Sequence, residues 1–157
     1  MIQRIQTVYL ILLIATFCGL FFMPLSSVTG TENGVQQTHV LSANNHKVFE
    51  GTEVKQTFPE TLLTVISAAI ILLAIGTIFC FKNRKLQMLL CKLLMVVVII
   101  FVLLAFRETD AIAALANSKA IYQAGAYMVI VSLLFIYLAL NGIKKDEELV
   151  RSADRLR

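Results

Sequence analysis

The chain has 157 residues, 58% of them hydrophobic, with a formal net charge of +4 and a mean hydropathy of +0.79. A soluble domain averages roughly 45–50% apolar residues; here the excess falls in four blocks, each about as long as a membrane crossing, which leaves little for a soluble core. The basic surplus collects at block ends, where it meets anionic head groups rather than nucleic acid, and Cys18, Cys80 and Cys91 lie in or beside apolar blocks with no Cys-x-x-Cys pair, so neither a disulfide framework nor a zinc site is indicated.

The first block covers residues 5–25. It is longer than the hydrophobic region of a cleaved signal, about 7–15 residues. Phe21-Phe22-Met23-Pro24 also stands where small cleavage-site residues would be needed. The block therefore reads as a retained helix ended by Pro24. Residues 26–59 form the one sizeable polar loop. Within it two β-prone stretches, residues 36–41 and 46–49, are joined through Ser42-Ala43-Asn44-Asn45, a turn-compatible sequence that predicts a small hairpin.

Pro59-Glu60-Thr61 opens a second helix, with the acidic Glu60 suited to its first turn. The second block, residues 62–81, is followed by the basic turn Lys82-Asn83-Arg84-Lys85 and at once by the third block, residues 86–106. So short a connection makes these two helices antiparallel neighbours. Residues 107–118 form an alanine-rich connection able to extend the third helix. The fourth block, residues 124–143, has Tyr122 and Gln123 at its mouth, and a charged tail, residues 144–157, closes the chain.

The expected fold is an all-α membrane protein: one domain built as a four-helix transmembrane bundle with a small hairpin in its first outer loop. Small residues at Ala15 and Gly19, Ala69 and Gly76, and Ala120, Ala124 and Gly125 are candidate close contacts between helices.

Positive charge marks the cytoplasmic side of short loops. With the N-terminus inside, the inner segments hold Arg4, Lys82, Arg84, Lys85, Lys92, Lys144, Lys145, Arg151, Arg155 and Arg157, and the outer ones only Lys47, Lys55, Arg107 and Lys119. Both ends are therefore expected in the cytoplasm, with Arg4, Lys82, Arg84 and Lys85 as the topology signal.

Intramembrane chemistry normally needs ionisable groups at depth. Only Lys92 lies well inside a block, about 9 Å from its start by helical rise, and its stem can return the ammonium to the head groups. His39 and His46, with Glu50 and Glu53 nearby, could approach a metal, but their spacing of seven fits no familiar ligand pattern and reads as surface histidine. No nucleophile, base and oxyanion site stand out together. No enzyme activity and no cofactor are expected.

The tail carries more charge than an anchor requires. Leu149, Ala153 and Leu156 recur at helical spacing, and Glu147 and Arg151 are four apart in the favoured order, so the tail can continue the fourth helix into the cytoplasm. Lys144, Lys145, Asp146, Arg151, Asp154, Arg155 and Arg157 are the candidate contacts to a partner or to head groups. The plainer reading leaves them as a solvated, topology-setting helix end. The partners considered are the anionic bilayer, an unidentified protein and further copies of the chain. A docking protein is the leading functional reading; a small oligomeric facilitator or channel is the alternative, and a membrane enzyme comes last.

Two stretches carry a family resemblance. The chain opens Met1-Ile2-Gln3-Arg4-Ile5-Gln6-Thr7-Val8-Tyr9-Leu10 and closes Lys144-Lys145-Asp146-Glu147-Glu148-Leu149-Val150-Arg151-Ser152-Ala153-Asp154-Arg155-Leu156-Arg157. It resembles, over its whole length, a family of small four-span membrane proteins from Bacteroidetes classed as a domain of unknown function. That resemblance implies an inner-membrane location in a bacterium with two membranes. It implies no activity and no catalytic residues.

Overall fold

The computed structural model describes residues 3–32, 35–51 and 53–155. Helix α1 (Gln3–Gly19) leads into four consecutive strands, β1 (Pro24–Glu32), β2 (Val35–Ser42), β3 (Asn45–Glu50) and β4 (Glu53–Pro59). Helix α2 (Thr61–Phe79), a 3-10 turn (Cys80–Lys82) and helix α3 (Arg84–Leu115) follow, and the short strand β5 (Ala120–Tyr122) precedes helix α4 (Ala124–Arg155).

The all-α, four-helix-bundle expectation is corrected by the sheet. The strands form one five-stranded antiparallel sheet in the order β4-β3-β2-β1-β5. The two strands expected as a hairpin are its middle pair, with Leu41 opposite His46 and Thr38 opposite Phe49. An isolated hairpin is marginal in water. Here β1 and β4 flank that pair, and β1 rests on the helices.

The first apolar block is not one helix. After Gly19 the chain turns, with the Met23 amide donating to the Gly19 carbonyl, and Pro24 already belongs to β1. Among the described residues three helices are long and apolar enough to cross a membrane: Thr61–Phe79, Arg84–Leu115 and Ala124–Leu149. Ile5–Gly19 is apolar but shorter.

Each helix buries residues at alternating steps of three and four, the spacing that keeps one face toward its neighbours. On α1 these are Gln6, Leu10, Leu13 and Phe17; on α2, Leu63, Ser67, Ile70, Ala74 and Thr77. On α3 they are Gln87, Cys91, Leu94, Val98 and Phe101, and on α4 Val129, Ser132, Ile136, Ala139, Ile143 and Asp146. α1 packs on α2 and α4, and α3 on the same two helices. Phe17 and Phe101 meet edge-to-face across the interior, with centroids 5.5 Å apart, a favoured geometry for aromatic pairs. The close contacts are mostly not those of the expected small pairs: Ala15 is exposed and nothing lies within 4 Å of a side chain built on Gly76, whereas Gly19 abuts Met128.

The sheet sits on one end of the helices because α3 outruns its apolar stretch. Its last turns lie along β1. The hydroxyls of Ser26 and Thr109 are 2.8 Å apart, Ser118 donates to the Thr29 carbonyl, and a side chain on Gly30 would run into the Ala116 backbone. Gly125 is needed where α4 starts: its Cβ would stand 2.5 Å from the Pro24 carbonyl oxygen. At the next corner the Asn44 carbonyl accepts from the Glu60 amide, and the Thr64 hydroxyl donates to the Ala43 carbonyl. These contacts leave β4 as an edge strand exposed along its whole length.

Candidate functional site

Two groups of polar side chains stand out, one at each end of the helices. The first lies away from the sheet. The buried face of α4 continues through Ala139 and Ile143 to Asp146, which is only 8% exposed. On α1 the matching position is Gln6, also buried, and its side-chain amide donates to the Asp146 carboxylate. Arg84, from the start of α3, donates to the Asp146 backbone carbonyl at 2.8 Å. Gln87, one turn further along α3, donates to the Thr77 carbonyl of α2 at 3.3 Å. This polar layer joins all four helices at the end opposite the sheet. Gly142 makes room for it, since a side chain there would meet the Gln6 side chain.

The predicted tail contacts therefore divide. Lys144 and Lys145 are exposed, while Asp146 is an interior member of the polar layer. Arg151, Asp154 and Arg155 are carried on the last turns of α4, with side chains outside the described set, and Arg157 lies outside the described residues. Of the topology residues, Arg84 joins the layer and Lys85 is exposed. Arg4 lies on α1 and Lys82 in the 3-10 turn, their side chains likewise outside that set. Lys92 is exposed on the flank of α3.

Sequence reasoning missed Gln6 and Gln87, and it placed Asp146 on the wrong surface. The signal was present in the spacing. Asp146 follows Ala139 and Ile143 at helical steps, and Gln6 precedes Leu10, Leu13 and Phe17 in the same way.

The second group is on the sheet. The β2–β3 register puts His39 opposite Val48 and Leu41 opposite His46. Alternation along each strand then sets both histidines on one face, diagonally adjacent. Their rings stack with centroids 5.3 Å apart, and His39 Nδ1 lies 3.2 Å from His46 Nε2. Phe58 of β4 stands beyond His46 at 6.0 Å. Burial, and then the neighbouring His39, push the His46 imidazole below its usual pKa, which favours the neutral ring.

On β3 Glu50 is held below the usual carboxylate range, chiefly by the hydrogen bond from Lys55, 2.7 Å away. At the foot of β4 Glu60 is pushed up by burial and by the nearby Glu108. Among the described residues no three His, Cys, Asp or Glu side chains converge as metal ligands. A small apolar pocket lies where α3 and α4 meet β1 and β5, between Leu25, Phe101, Phe106 and Val129. Phe106 and Tyr122, edge-to-face at 5.0 Å, line it too.

The polar layer has the chemistry of a clamp. It pairs a carboxylate with an amide and caps a helix carbonyl with a guanidinium, and it presents no activated nucleophile. No curated protein matches the chain. A family model does match, over residues 2–156, and the chain accordingly belongs to the family described as Domain of unknown function (DUF4293).

Proposed function

We propose that the chain is an integral inner-membrane protein of a bacterium with two membranes, with both ends in the cytoplasm. On this reading it works without catalysis, docking a partner protein through the charged end of α4. Three long apolar helices and the uneven distribution of basic residues support the membrane part of the reading. The observation that carries the docking part is the unbroken run of α4 from Ala124 to Arg155. Asp146 is tied to α1 and α3, so residues 147–155 form a helical arm reaching about 13 Å beyond the polar layer. The arm has a fixed base, and the exposed Lys144, Lys145, Glu148 and Leu149 lie around its root.

A pre-ordered arm loses less entropy on docking than a disordered tail would. Affinity capture from native membranes, comparing the full chain with one ending at Asp146, tests the reading. Membrane insertion should persist in both, and partners crosslinked to the full chain should be lost from the shortened one. An identical set of partners would overturn docking through the arm. Solute flux through vesicles carrying the purified protein would put a facilitator in its place.

A further inference from the structure

The histidine pair on the sheet has a geometry that the docking reading does not use. Two imidazole nitrogens bound to one ion at about 2.0–2.1 Å stand about 2.9 Å apart at square-planar angles and about 3.3 Å apart at tetrahedral ones. His39 Nδ1 and His46 Nε2 are 3.2 Å apart without any ion. The β2–β3 register sets both residues on one face and their rings already stack, so less side-chain ordering opposes binding. Beside them on the same face their cross-strand partners Val48 and Leu41 are buried, and Phe58 flanks His46, an apolar surround that limits ring movement and water access.

We propose that His39 and His46 form a two-imidazole site for a late first-row divalent cation, with Cu²⁺ held most tightly. Imidazole suits copper, nickel and zinc, and affinity for a given nitrogen site peaks at Cu²⁺; magnesium and calcium prefer oxygen ligands. In the metal-free pair one ring donates an N–H to the other. Coordination requires a lone pair on both facing nitrogens, which the donor ring supplies by moving its proton to its other nitrogen. No net proton is gained or lost. With no third His, Cys, Asp or Glu converging among the described residues, water fills the remaining positions. The ion therefore exchanges, in contrast to one locked in a closed structural site.

The chain has only two histidines, which makes the test direct. Untagged or Strep-tagged full-length protein in detergent is titrated with Cu²⁺ and read by electron paramagnetic resonance. One equivalent should bind with nitrogen hyperfine structure from two imidazoles. His39→Asn and His46→Asn should each weaken binding at least 30-fold. The wild-type spectrum counts the imidazoles whether or not the variants fold. A spectrum with one imidazole or none, or equal binding by the His39→Asn/His46→Asn double variant, would overturn the site.

Discussion

Asp146 shows how a single residue changes meaning once its face of the helix is known. Within a run of charged residues it resembles its exposed neighbours Lys144 and Lys145, yet it is buried and receives the Gln6 amide. Leaving a buried donor without its acceptor costs about 1–3 kcal/mol. Asp146→Ala should therefore destabilise the protein by that amount in detergent unfolding. Asp146→Asn retains a carbonyl oxygen to accept from Gln6 and should lose less, and Lys145→Ala should change little. Equal effects of Asp146→Ala and Lys145→Ala would remove the clamp. Glu60 makes a second case, with an opposite sign. Burial and Glu108 raise its pKa above the ordinary 4.5, so the folded state holds its proton more tightly than the unfolded chain does. Its favourable contribution is complete below pH 4.5 and is lost as pH rises through the raised pKa. Glu60→Gln should therefore be more stable than wild type at neutral pH, and the gap should shrink as pH falls through the raised pKa toward 4.5. A gap independent of pH would show that the carboxylate charge is not the cause. The charge's attraction to the start of α2 acts the other way and is outweighed by burial and by Glu108.

At the scale of elements, the parts legible in the sequence were those with a strong hydrophobic signal. The cores of α2, α3 and α4 are continuous apolar runs, and the β2–β3 pair carries Val40, Leu41, Val48 and Phe49 around a turn sequence. The missed strands lack that signal. β1 reads Pro-Leu-Ser-Ser-Val-Thr-Gly-Thr-Glu; its buried face is Ser26, Val28 and Gly30, residues small enough for α3 to lie close. A face that buries serine and glycine does not alternate in hydrophobicity, and so it reads as loop. β4 is exposed throughout and has no buried face to announce it. β5 has three residues and exists through its pairing with β1. The helix ends were harder to place for a related reason. α3 and α4 continue beyond their apolar stretches because each extension finds partners, β1 for α3 and the Asp146 layer for the root of the α4 arm. In α1 a continuous apolar block misled in the other direction: Leu20 to Met23 are apolar, but they form a turn into the sheet. The histidine pair was visible only as two residues seven apart; the strand register that brings them together is a tertiary fact.

For the whole molecule, three of the described helices are long and apolar enough to cross a membrane, and the open count is whether α1 would make a fourth. α1 has 17 residues, about 25 Å of helix, against a hydrocarbon core of about 30 Å. Its partner bears on the shortfall. α1 packs on α4 with Gln6 beside Asp146 at one end and Gly19 beside Met128 at the other. It therefore runs beside most of the apolar length of α4, antiparallel to it. The exposed Phe22 and Met23 of the turn extend the apolar surface toward the sheet. If α4 crosses, α1 crosses with it in the opposite direction, and the two chain ends share a side. In a background with Cys18, Cys80 and Cys91 replaced, single cysteines at Gln3, Lys119 and Lys145 report the arrangement. A membrane-impermeant maleimide applied to intact spheroplasts should label Lys119→Cys, while Gln3→Cys and Lys145→Cys should react only after lysis. Labelling of Gln3→Cys together with Lys119→Cys would mean that α1 does not cross and the count is three. Labelling of Lys145→Cys and Gln3→Cys without Lys119→Cys would keep four crossings but invert them, placing the sheet and its histidine pair in the cytoplasm and the α4 arm outside.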